Sequence, residues 1–247
     1  TPYLESTEKG VGIGATYQMG NSRLLLGMTT PFSEHPSQSP WSKSTFAASL
    51  EHGDQNKRAV TLMTGITQDK EKLLGSVGTS AFSLSGSKSE TKFVSVKLQA
   101  RVADNLYLTG LSTWSHTDMT SPVKSLVGSS SGVKSSSHAI ALNKRYLLGD
   151  DNLSFFVTQP NRISQGAINI RIPSLVNRSG YIGYTTKQFG LEPSGREIDY
   201  GVSYKTHLSE SLDYSFKYVM TNDHNHTESS QNRHSAFAGL RYKQAKI

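Results

Sequence analysis

The sequence contains no cysteine, which excludes disulfide scaffolds, thiolate chemistry and zinc ribbons. It also lacks any run near the ~18 consecutive apolar residues that a spanning helix needs. The longest apolar pieces are short, as at Leu24-Leu25-Leu26. No apolar stripe at helical spacing is sustained over about ten residues, so helix content should be close to nil. The opening TPYLESTEKG has no positive region, apolar core or small-residue cleavage site, so it reads as a mature or non-exported start. Acids number 19 against 26 Lys+Arg, a net charge of +7 over 247 residues. The basic residues are scattered among acids instead of massed, which argues against a nucleic-acid partner. A membrane protein built of strands passes all these tests, because its strands need only alternate and its mean hydropathy can stay low, here −0.44.

Alternation with period two is what the sequence does have. In residues 93–102 Val94, Val96, Leu98, Ala100 and Val102 share one face, opposite Ser95, Lys97, Gln99 and Arg101. Residues 197–208 and 212–220 repeat the pattern, with Ile198, Tyr200, Val202, Tyr204 and then Leu212, Tyr214, Phe216, Tyr218 on the apolar parity. Weaker versions occupy 11–19, 23–30, 44–52, 58–67, 106–116, 136–147, 152–159, 166–172, 180–190 and 233–242. The fold expected is all-β.

The connections come in two sizes that take turns. Short ones, GNS, HGDQN, ADN, LGDDN and LSES, are built from turn-forming residues. Long polar ones occupy 31–43, 68–91, 118–135 and 222–232. A meander with this alternation puts its short turns at one end and its long loops at the other, as outer-membrane barrels do. The candidates number about thirteen, whereas single-chain barrels have an even count, so twelve strands are expected. The surplus is either 11–19 or 166–172. The expected fold is therefore a transmembrane antiparallel up-and-down β-barrel of 12 strands, with residues 1–9 as a short lead and 10–247 as one domain.

Alternation alone does not say which face is dry. A soluble sandwich would turn the apolar parity inward, and a membrane barrel would turn it to lipid. Three features favour lipid. Tyr181, Tyr200, Tyr204, Tyr214, Tyr218 and Trp114 fall on or near strand ends, where an aromatic girdle sits. The polar parity carries both signs, in Lys97, Arg101, Arg171, Glu197, Asp199, Lys205, Asp213 and Lys217, as a lumen crossed by ion pairs would. The apolar parity is rich in small residues, poor material for a close-packed core. A secreted β-sandwich that binds a ligand is the alternative from a different class.

Residues 154–208, with YVMTNDHNH at 218–226, resemble the translocator barrel of subtilisin-like serine-protease autotransporters. The resemblance rests on Gln159-Pro160, Gly166, Ile172-Pro173, Gly180 to Tyr184 and, most specifically, the turn Pro193-Ser194-Gly195-Arg196-Glu197. LLGSVGTSAFSL at 73–84 resembles a loop of the same family. The resemblance implies a Gram-negative outer-membrane location, an anchor and export channel for a passenger, insertion by the barrel-assembly machinery, and contact with outer-membrane lipid and lipopolysaccharide. The sequence departs from the family pattern by running past Tyr242 to Ile247 without a terminal aromatic, and its nine residues before Gly10 are too few for a passenger or pore helix. A barrel serving as a structural subunit of a larger outer-membrane complex is the second reading.

No catalytic, metal or cofactor site is expected. Gly78-Thr79-Ser80-Ala81 echoes a subtilisin nucleophile, but no helix follows and no His or Asp partner motif exists. Asp223, His224 and His226 are ligand types in one loop, yet a zinc site draws additional ligands from another element. The carboxylates Glu197 and Asp199 share a face that also holds Lys205 and Lys217, with Arg196 beside them, and a neutralised polar network is expected there instead of acid-base catalysis.

Overall fold

A computed structural model of the chain describes residues 10–31, 43–70, 87–120, 125–176, 178, 180–209, 211–229 and 231–242. In them twelve strands form one antiparallel, up-and-down sheet of barrel type. The strands are β1 (Gly10–Met19), β2 (Ser22–Pro31), β3 (Lys43–Asp54), β4 (Arg58–Lys70), β5 (Lys88–Ala103) and β6 (Leu106–Thr120). They continue with β7 (Val127–Arg145), β8 (Asp151–Val176), β9 (Ile182–Gly190), β10 (Ile198–Ser209), β11 (Leu212–Asn222) and β12 (Arg233–Tyr242). The expected loop at 73–84, with Ser80, lies outside the described residues.

The segments 152–159 and 166–172 are one strand, the 26-residue β8, so the thirteen candidates become twelve. Pro160 is what made the two look separate, since a proline cannot donate to a ladder. It lies at a register shift, between His138↔Gln159 and Ser136↔Arg162, where no bond is required of it. The lower half of β8 pairs β10, from Asp151↔Thr206 to Thr158↔Asp199. The upper half pairs β9, from Ala167↔Gly190 to Val176↔Ile182. The β8–β9 hairpin thus rises beyond the β8/β10 ladder at the long-loop end.

The turns following β1, β3, β5, β7 and β10 stand at one end, as the alternation of connection lengths requires. Every neighbouring pair along the path is antiparallel and the path, leaving out β9, has an odd number of members, so β1 and β12 run in the same direction. Among the described residues no ladder joins those two strands.

The two faces differ in chemistry. On the inner face Thr45, Thr67, Thr91 and Thr117 stand level across β3 to β6, each at most 4% exposed. Their hydroxyls bond in pairs, Thr45 to Thr67 at 3.0 Å and Thr91 to Thr117 at 2.8 Å. Ser95–Thr113 and Ser115–Ser135 make two more such bonds, at 2.8 and 2.6 Å. Hydroxyls suit this place because each both donates and accepts, which keeps a buried polar layer satisfied. On the outer face Leu26, Phe46, Leu50, Leu62, Val94 and Leu98 are all exposed.

Candidate functional site

The inner and outer faces are inverted relative to a soluble protein, with the apolar parity of the sequence turned out. Leu50 pairs Leu62, and Val60 pairs Leu98, so the outward apolar side chains form continuous bands across strands. The inner face at β3 to β7 is lined by buried threonine and serine, and two aromatics fill gaps in it. Phe93, 3% exposed, crosses Gly65, and Tyr107 carries the Arg145 guanidinium 4.6 Å above its ring. Outward tyrosines mark the short-turn end, where Tyr17, Tyr214 and Tyr242 stand within two residues of their strand termini.

The charged residues named from the sequence are scattered. Lys97 faces inward opposite Thr61, and Arg101 forms an ion pair with Asp104 at 2.5 Å at the short-turn rim. Arg171 stands on the β8–β9 extension, opposite Thr186. Asp199 accepts from the hydroxyls of Thr221 at 2.5 Å and Thr158 at 3.4 Å, and Lys217 lies 5.3 Å from the Phe156 ring. Glu197 accepts from the Asn225 N–H and lies 3.7 Å from His224. The ion pairs that sequence suggested for Glu197 and Asp199, with Arg196, Lys205 and Lys217, are not formed among the described residues. Hydroxyls, a backbone N–H and His224 take that role, because neighbouring strands bring threonines level with Asp199 and the β11–β12 loop folds onto Glu197.

That loop builds an extended polar network among the described residues. Gly195 N–H donates to the His226 carbonyl at 2.7 Å, and Glu197 N–H donates to His226 Nδ1 at 2.9 Å. His226 Nε2 lies 3.1 Å from the Asn161 carbonyl on β8. A carbonyl can only accept and an N–H can only donate, so these two bonds fit a ring that carries a proton on Nε2 and accepts at Nδ1. Arg162 donates to the carbonyls of Gly195 at 3.0 Å and Pro193 at 3.1 Å. Asp223 accepts from Arg196 N–H and Ser229 N–H. The Pro193–Glu197 turn and the His224–His226 loop, separate observations in the sequence, are thus one unit. With their polar atoms committed to backbone, Asp223 and His226 are not arranged as metal ligands, and among the described residues no group of three His, Asp or Glu side chains is placed so that it could hold a metal ion.

At the short-turn rim an open cavity of about 510 Å³ is lined by Arg145, Asp150, Asp151, Lys205, His207, Asp213 and Arg241 among others. Asp151 accepts from Leu147 N–H at 2.6 Å, Leu148 N–H at 3.0 Å and the Tyr204 hydroxyl at 3.0 Å. Its place at the turn, below the apolar part of the wall, would by burial raise its pKa. The three donors outweigh that and hold the carboxyl below the usual carboxylate range. His207 Nδ1 and Asp213 lie 2.5 Å apart, and Asp150 lies 3.7 Å from Nε2 of the same ring.

One part of the outer face is polar. His138 Nδ1 is 3.1 Å from the Ser112 hydroxyl and its ring meets Trp114 edge-on at 5.9 Å. Gln159, 9% exposed, lies opposite His138. These side chains line an open notch of about 520 Å³ between Val96, Leu98, Ile140 and Val157. Sequence reading missed this notch and the rim cavity, because neither set of residues is close in sequence.

Together these features define a single-layer antiparallel wall with an apolar exterior and a hydroxyl-rich interior. No protein-family model matches the chain, and no curated protein matches it. Among solved structures it is similar to the siderophore receptor PiuA from Acinetobacter baumannii, at 12% identity and a TM-score of 0.46. The match covers 96% of this chain and 46% of the receptor, so the chain spans less than half of that protein's length.

Proposed function

We propose that the chain is an outer-membrane β-barrel of autotransporter-translocator type, a membrane anchor and polar-lined passage for export. The observation that carries the membrane part is the inversion of faces: Leu62, Val94 and Leu98 are exposed while Thr67, Thr91 and Thr117 are buried. Water would penalise such a surface, and lipid rewards it. The translocator part is supported by the Pro193–Glu197 turn, which carries the family resemblance and is held by a dedicated loop.

The membrane part is tested by extracting the chain in mild detergent and comparing its gel mobility unheated and boiled. A faster unheated band and detergent-dependent solubility are expected. A chain that is monodisperse without detergent and shows no shift overturns the reading in favour of a soluble module. The export part is tested by a reporter fused before Thr1, which should become accessible to protease on intact cells. A reporter that stays protected when the barrel itself is inserted refutes the export role.

A second reading, a subunit of a larger outer-membrane assembly, is favoured by the notch at His138 and Gln159. Gln159 donates to the Ser136 carbonyl at 3.4 Å and His138 pairs Ser112 through Nδ1, so the polar atom left for a partner in the notch is His138 Nε2, which is costly in hydrocarbon unless one meets it. His138→Leu combined with Gln159→Leu should then release a co-purifying subunit while leaving heat-modifiability intact, and an unchanged subunit composition removes this reading.

A further inference from the structure

The rim cavity holds charges of both signs, but they are not equally committed. Asp151 is engaged by three donors, and Asp213 and Asp150 flank His207. The cations Arg145, Lys205 and Arg241 arrive from three strands, β7, β10 and β12. Arg145 lies over the Tyr107 ring, its guanidinium carbon 4.6 Å from the centroid, a contact that engages the face of the ring and no acid. No ion pair ties any of the three to an acid among the described residues. The acids keep their charge but commit acceptor oxygens to these donors, so the donors on the cavity wall without a side-chain partner among the described residues are those of the three cations, which an anion with several acceptor oxygens would satisfy.

The cavity lies at the short-turn edge of the sheet, and the opposite face of the same strands carries the outward apolar side chains Phe155 and Leu240, 54% and 68% exposed, within reach around that edge. A ligand with a charged head and apolar chains could occupy both regions at once.

We propose that the short-turn rim is a binding site for phosphate esters, in which Arg145, Lys205 and Arg241 hold phosphoryl oxygens. Two sources share this chemistry, a phospholipid headgroup whose chains lie along Phe155 and Leu240, and a soluble phosphate. The lipid source rests on the membrane reading above, while the anion site does not.

The test uses the full chain in a phosphate-free detergent, with binding read by native mass spectrometry and by 31P resonance shifts. The probes are phosphatidylglycerol, a diacylglycerol of the same chains, and inorganic phosphate. Wild-type protein should retain phosphatidylglycerol one to one and not diacylglycerol. Lys205→Gln and Arg241→Gln should each weaken retention about tenfold, the size expected for one charge-assisted contact, and Lys205→Arg should restore it. Gel mobility of the unheated variants verifies that they fold, and retention by wild-type protein should fall with rising salt, a readout that needs no variant. Displacement of the lipid by millimolar inorganic phosphate identifies the free anion as a sufficient ligand, and failure to displace it identifies the headgroup with its chains. Equal binding of diacylglycerol, or variants that bind as wild type does, overturns the site. If the chain proves soluble without detergent, the membrane reading fails and the inorganic phosphate arm alone decides the anion site.

Discussion

The backbone N–H of Glu197 donates to Nδ1 of His226 at 2.9 Å, across 29 residues of sequence. The same imidazole reaches the Asn161 carbonyl on β8 at 3.1 Å. One side chain from the β11–β12 loop therefore spans the gap where β8 has left the β10 ladder and not yet begun the β9 ladder. Without it, the strand ends around Asn161 and Glu197 would have backbone groups to satisfy from water.

His226→Ala removes both bonds and should destabilise the long-loop end by about 1–3 kcal/mol, the usual cost of leaving partners of a part-buried polar group unpaired. Limited proteolysis is the direct measurement, with new cleavage expected between 223 and 229. A variant as resistant as wild type would show that the loop holds without the imidazole.

Gly195→Ala attacks the same unit from the other side. A Cβ there would lie 2.6 Å from Glu228 N and 2.8 Å from Thr227 C, both backbone atoms that cannot rotate away. The glycine of the Pro193–Glu197 turn is thus needed for close approach of the second loop. The variant should reproduce the protease sensitivity of His226→Ala, and the two together should add little to either alone, because they break one contact surface. Full additivity would separate them into independent effects.

The alternation at Val94 to Val102 made the strands legible, since a period of two survives any tertiary context. The direction of the faces was not legible from alternation, which suits a sandwich and a membrane wall alike, and had to be read from the mixed charges of the polar parity and the small residues of the apolar one. Burial of Thr91 and exposure of Val94 in the same strand decide it. Strand number was ambiguous because Pro160 imitates a strand end, and only the register shift between β7 and β8 explains how one strand passes through it. The joining of the Pro193–Glu197 turn to the His224–His226 loop was invisible for a different reason: Asn161 and His226 lie 65 positions apart, and nothing local marks a histidine that bonds only to backbone.

Asp151→Asn should lower the stability of the short-turn rim, because an amide accepts through one oxygen where the carboxylate serves three donors. The sign of the pH effect follows from a folded carboxyl held below its ordinary value. Its stabilisation is complete above the ordinary carboxylate range of about 4 and is lost as pH falls through the lower folded value. Acid titration of the unfolding midpoint should therefore be shallower in the variant than in wild type over that window. Parallel curves would mean that Asp151 does not contribute to acid sensitivity.

The orientation of the wall is open to a paired substitution that needs no knowledge of partner or passenger. Leu98 faces outward, 54% exposed, opposite Val60 on β4. Thr109 on β6 faces inward between Gln99 and Ala141. In a bilayer Leu98→Arg places a charge in hydrocarbon and should cost about 2–4 kcal/mol near the midplane, whereas Thr109→Arg places it in a polar interior and should cost far less. In water the order reverses, since an arginine on an exposed face is nearly free and one forced into the interior must displace packed neighbours. Folding each variant into lipid vesicles and measuring its urea midpoint gives the order directly. A larger loss for Thr109→Arg would mean that the apolar bands of β2 to β8 face water or a protein partner, and the membrane reading would fall with them.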